Sequence, residues 1–172
     1  MSGALKKIAE TTVTSNVASV TLTGIDTTYN VYMVRYFNVQ PATDAQKLEV
    51  RFTVSGSPDT SSNYDRVLKV LDIGGGFTAQ GNDNQDSVDG LDQGGTQPGE
   101  VLSGVMYLFY FTIASEHSFI TFEGSAISSA SQLNARQGAA MLTVDQANDG
   151  VNYFFASGDI ATGTFALYGL SK

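Results

Sequence analysis

The sequence predicts an all-β protein, an antiparallel β-sandwich of jelly-roll-like kind with one long Gly/Asp/Asn-rich loop. Three observations carry this expectation. The dominant hydrophobic period is two, which is the side-chain period of a half-buried strand. Runs with that period are separated by Gly, Asn, Asp and Ser, the residues of turns. Helical periodicity is nearly absent, the best helical candidate being a short turn around 130–135. With 172 residues the chain can bury a sizeable core, and one domain over 1–172 is expected.

The elements follow in chain order. A strand is expected at 8–14, and "ASVTLTG" sets Val20 and Leu22 against Ser19, Thr21 and Thr23. The longer run "YNVYMVRYFNV" is apolar on both faces: one carries Tyr29, Val31, Met33, Phe37 and Val39, the other Tyr32, Val34 and Tyr36. "KLEVRFTV" gives the clearest alternation, with Leu48, Val50, Phe52 and Val54 on the buried side. After a strand at 65–71, residues 74–100 hold few core candidates and read as a long inserted loop. A loop of that length in a compact domain is usually functional or ordered by a partner. "LSGVMYLFYFTI" is again two-sided, with Val105, Tyr107, Phe109, Phe111 and Ile113 opposing Met106, Leu108 and Tyr110. Strands at 118–123, 138–144, 150–156 and 163–169 complete the set of ten.

A sandwich buries one face of each sheet, so a strand apolar on both faces implies a covering loop or a subunit contact. Tyr suits such a surface because its ring packs while its hydroxyl stays hydrogen-bonded. The candidate interface residues are therefore Tyr32, Val34, Tyr36, Met106, Leu108, Tyr110 and, in the last strand, Tyr168. Charged residues are only 15% of the chain, well under the roughly one quarter usual for soluble domains, which also points to a surface partly covered by other chains. Both ends of the chain are expected to be held by packing or by neighbours, because free termini fray.

The same composition narrows the chemistry. A net charge of −8 with nine Lys and Arg, of which only Lys6 and Lys7 are adjacent, argues against a nucleic-acid partner. Without Cys there is no disulfide, thiol nucleophile or thiolate metal site. No run reaches the roughly 18 apolar residues of a membrane span, and the N-terminal stretch lacks the apolar run of a signal peptide, so synthesis in a cytoplasm is expected. Asp83, Asp86, Asp89 and Asp92 invite a calcium reading, but an EF-hand frame from Asn82 has Ser87 at its sixth position and Gln93 at its twelfth, where Gly and Glu are needed. A solvated acidic loop is the expected reading. His117 is the only histidine, which excludes a multi-His metal site, and no G-x-S-x-G elbow accompanies it. "GGGF" at 74–77 lacks the Lys and helix of a phosphate loop, and a turn needing positive φ explains it. No catalytic residue, cofactor or metal ligand is assigned, and no enzyme is expected.

Four blocks in order, "VASVTLTGIDTTYNVYMVRYFNVQPATD" at 17–44, "LEVRFTVSGSPDTSSNYDRV" at 48–67, "GVMYLFYFTIASEHSFITFEG" at 104–124 and "NYFFASGDIATGTFALYGL" at 152–170, carry a resemblance. The chain resembles small β-sandwich virion proteins of tailed bacteriophages, particularly marine and cyanobacterial phages. The "SSNYD" turn at 61–65 and the terminal "SGDIATGTFALYGL" are its most diagnostic pieces. The resemblance implies a virion location and a structural role, in capsid decoration or cement, or in a tail fibre or related appendage, with other virion proteins as partners. A homo-oligomer, most simply a trimer, is plausible under it. It also implies that the last strand closes the sandwich, and alternation places Phe165 and Leu167 on one face of it and Ala166, Tyr168 and Leu170 on the other. The alternative is a receptor- or carbohydrate-binding adhesin module at an appendage tip, recognising a host-surface glycan through loop aromatics, of which Tyr29, Tyr64 and Phe77 are the clear candidates.

Overall fold

The computed structural model describes residues 5–170, and among these it contains no helix. The terminal residues 1–4 and 171–172, for which ordering by packing is expected, lie outside the described residues. Thirteen strands follow one another: β1 (Leu5–Val13), β2 (Val20–Thr23), β3 (Val31–Pro41), β4 (Gln46–Val54), β5 (Ser57–Pro58), β6 (Tyr64–Asp72), β7 (Phe77–Gln85), β8 (Val88–Gly94), β9 (Leu102–Phe109), β10 (His117–Ile127), β11 (Leu133–Asp145), β12 (Gly150–Phe155) and β13 (Ile160–Leu170).

They form two antiparallel sheets packed face to face, the β-sandwich that the alternation predicts. The larger sheet has eight strands in the order β1-β13-β3-β9-β10-β11-β6-β7. The smaller runs β2-β12-β4, and the free side of β4 is shared by β5 and β8. Leu48, Val50 and Phe52 of β4 are fully buried between the sheets, as their alternation requires. Aromatic rings fill the centre: Phe52 lies 4.5 Å from Phe111 and 5.4 Å from Tyr64, and Tyr153 lies 5.2 Å from Phe165, centroid to centroid.

Several expectations are corrected. Residues 74–100 are not one long loop: they contain β7, which ladders onto β6, and β8, which pairs with β4. The turn between β6 and β7 is the "GGGF" segment, where Gly75 adopts φ 79° and the Asp72 carboxylate accepts the amides of Gly74 and Gly76. Residues 130–135 are not helical. They comprise the end of the tight β10–β11 turn and the start of β11. The run 102–113 is a strand only to Phe109, because Tyr110 turns to φ 60°. Val39 joins the buried face because Asn38, at φ 52°, forms a bulge that shifts the register between Tyr36 and Val39. The last strand, β13, lies between β1 and β3 with Phe165 and Leu167 fully buried, and the eight-stranded sheet ends at β1 and β7.

Candidate interaction surface

The two strands that read as two-sided, β3 and β9, are neighbours in the middle of the larger sheet. Register settles which face looks inward. Tyr32, Val34, Tyr36, Met106 and Leu108 are between 0 and 2% exposed, so these five candidate interface residues belong to the core. Tyr110 is half exposed just beyond β9, and Tyr168 lies on the outer face of β13 beside Met33. The outer face of these strands is the opposite one, carrying Val31, Met33, Val105, Tyr107 and Phe109. Arg35 shares their parity, and it is the sequence signal that marks this side as the wet one.

Pairing extends this face into a strip. In one cross-strand row Tyr168, Met33, Tyr107, Thr121, Ala139 and Val67 stand side by side on six successive strands. In the next, Phe109 stacks on Phe119 at 4.9 Å, and Phe119 is paired in turn with Met141. Val67 is 64% exposed, and Tyr107 and Met141 each 36%. Because Thr121 and Ala139 are small, the strip dips between Tyr107 and Val67 into a depression of about 750 Å³.

The outer face of the smaller sheet is built differently. Arg51 is bound to Asp86 at 2.8 Å and lies over the ring of Phe154 at 4.3 Å. The Asn152 amide donates to Thr21 Oγ1, and the Ser87 hydroxyl donates to Glu49. Those polar groups satisfy one another. On the larger sheet, Arg35, Glu123 and Lys69 are exposed and have no ion-pair partner among the described residues. Both outer faces carry charge unpaired among the described residues, Lys47 on the smaller sheet included, but the larger sheet's is the one with apolar area left over.

A second polar constellation is internal. Tyr36 lies along the inner face of the sheet across Gly104 and Gly124, which stand next to it in the same cross-strand row, and a Cβ on either would come within 2.7 Å of its hydroxyl. Arg136 stands next in that row, 3.9 Å from the Asp92 carboxylate and donating to the Gly90 carbonyl at 3.0 Å. Arg66 holds Asp89 through both Nε and Nη2. Burial pushes the Asp92 carboxyl up to about 7 against the opposing pull of Arg136. Burial raises Asp89 as well, but the Arg66 bonds and charge outweigh it and hold that carboxyl below its ordinary value. Asp92 is 0% exposed, Tyr36 1% and Arg136 8%, so the cluster is sealed from any substrate and acts on packing.

The acidic residues of 83–92 do not form one solvated loop: Asp83 is exposed on β7, as a solvated acid would be, but the other three are engaged. Asp86, Asp89 and Asp92 each face an arginine, and among the described residues no three carboxylate or imidazole side chains converge as metal ligands would. His117 opens β10 and pairs with Asp145 at 2.6 Å on the surface. Tyr64, expected at a loop edge, is 1% exposed, whereas Phe77 is 72% exposed. No protein-family model and no curated protein matches the chain.

Proposed function

We propose that the protein is a structural subunit of a tailed-phage virion, a capsid decoration or cement protein or a tail-appendage component, that packs against other virion proteins through the outer face of its larger sheet. The observation that carries this reading is the aromatic and aliphatic strip on that face. A sheet face covered by solvent alone is expected to alternate to polar residues, as the smaller sheet does here. The low charge of the chain and the resemblance of its four sequence blocks to phage virion proteins support the same reading. The reading assigns no catalytic group, and the burial of Asp92, Tyr36 and Arg136 supports a packing role for that cluster.

The test is addition of the purified protein to particles that lack it. Binding at defined sites, lost in Tyr107→Glu and Val67→Glu, is the expected result; binding that both variants retain overturns the use of this face. The adhesin reading is favoured by Tyr110 and Phe77, which stand exposed next to turns. It predicts binding to host polysaccharide that Tyr110→Ala and Phe77→Ala abolish.

A further inference from the structure

We infer that the outer face of the eight-stranded sheet is the two-fold interface of a homodimer, with the dyad running along β9. The inference rests on the reading of this face as an interface and deepens it: the virion protein that covers the face is a second copy of this chain.

Charges cross the sheet in a fixed order. In the cross-strand row through Val105, the charged residues are Glu10 on β1, Arg35 on β3, Glu123 on β10 and Lys69 on β6. Counted from the β1 edge these are the first, third, fifth and seventh strands, and Val105 of β9 is on the fourth. The signs run minus, plus, minus, plus. A two-fold along the fourth strand sets the third against the fifth and the first against the seventh. Arg35 then faces Glu123 of the second copy, Glu10 faces its Lys69, and each contact occurs twice. A dyad along β3 or β10 would instead oppose like charges, and one along β13 or β11 would leave half of the charges outside the contact. Of these axes, only the one along β9 pairs all four.

Shape agrees with charge. A twisted sheet is saddle-shaped, and a two-fold lying in the saddle along one strand carries the surface onto itself, so two copies meet without a gap opening at one end. The same operation places Tyr168, on the second strand, over Ala139 on the sixth. Its ring there enters the depression between Tyr107 and Val67. Tyr107 meets its own copy at the axis. With strands about 4.8 Å apart and outward rows about 7 Å apart, seven strands and three rows cover roughly 600 Å² per copy, about 1,200 Å² in all, the lower bound of a specific interface. A trimer would need a head-to-tail contact between two different patches, and this charge order complements itself.

The test is the solution mass of the full chain and of two exposed charge variants. Wild type is expected at twice the 18.2 kDa chain mass. Arg35→Glu and Glu123→Lys each place like charges together, and each is expected to be monomeric. An equimolar mixture of the two is expected to recover the dimer. In it the new glutamate of one variant faces the new lysine of the other, and the unchanged Glu123 of the first faces the unchanged Arg35 of the second. The doubly exchanged chain is expected to dimerise with itself. Circular dichroism confirms that the monomers are folded. A monomeric wild type, single variants that stay dimeric, or folded variants that do not associate when mixed each overturn the two-fold. Particle binding that survives such a result while Tyr107→Glu abolishes it leaves the virion reading standing and removes only the homodimer. A two-fold that behaves as expected in a protein that binds no particle does the reverse.

Discussion

The Tyr64 hydroxyl sits 3.0 Å from the backbone nitrogen of Phe52, accepting its N–H, and donates at 3.0 Å to the carbonyl of Asp59. One side chain thereby satisfies a buried strand amide and ties β4 to the segment that follows β5, while its ring meets Phe52 edge to face. Tyr64→Phe keeps the ring and orphans both groups, at a cost of about 1–3 kcal/mol. Urea unfolding is expected to show that loss with an unchanged slope. A variant as stable as wild type would mean that the amide finds another partner.

Leu48 and Phe52 lie in the centre of the sandwich with no exposed surface. Phe52→Ala is expected to cost about 3–5 kcal/mol through lost burial and the cavity left behind. Leu48→Asp and Phe52→Asp are expected to prevent folding, because each buries an unpaired carboxylate. Normal thermal melts of the aspartate variants would contradict the register of β4.

At Gly124 the crowding comes from one atom. A Cβ there would sit 2.7 Å from the Tyr36 hydroxyl, with the next heavy atom at 3.3 Å. Gly124→Ala is expected to destabilise, and Tyr36→Phe, which removes the obstructing oxygen, to recover part of the loss. A double-mutant cycle is expected to give a coupling of about 1–2 kcal/mol. Purely additive effects would show that Tyr36 does not fill the space above this glycine.

Asp92 predicts a pH dependence. Its folded value, about 7, lies above the ordinary 3.8, so between these limits the unfolded chain ionises while the folded one holds its proton. The group's effect on stability is constant below pH 3.8 and turns increasingly unfavourable as pH rises to about 7. Asp92→Asn cannot ionise and keeps an oxygen for the Gln93 amide, which Asp92 Oδ1 accepts at 2.9 Å. The difference in stability between variant and wild type is expected to grow in the variant's favour from pH 4 to 7. A constant difference would mean that Asp92 ionises normally in the folded protein.

The sandwich is legible in the sequence because burial writes alternation into β4 and β2, where one face is wet. Alternation is silent where both faces are apolar. In β3 and β9 it locates the strands and the need for cover on the second face, but the choice of inner face depends on Arg35, a single charge on the same parity as Met33. β7 escapes a sequence reading for the opposite reason. Eight of its nine residues are exposed, and its ladder to β6 is made by backbone groups that every sequence carries. β8 is hidden by its acids, since Asp89 becomes core-compatible through Arg66, distant in sequence, and Asp92 by keeping its proton when buried beside Arg136. Sequence spacing holds no record of such pairings.

The two margins of the larger sheet bear on what the protein can grow into. A bare strand margin is a template on which another chain can add its own ladder, the route to open-ended polymers and fibrils. Here one margin, β1, carries Lys6, Lys7 and Glu10, and the other, β7, ends in Gly81, Asn82, Asp83 and a left-handed Asn84 at φ 52°. Charge at one side and broken extended geometry at the other discourage sideways templating. A contact between faces, unlike one between bare margins, can close on itself into a particle of fixed size.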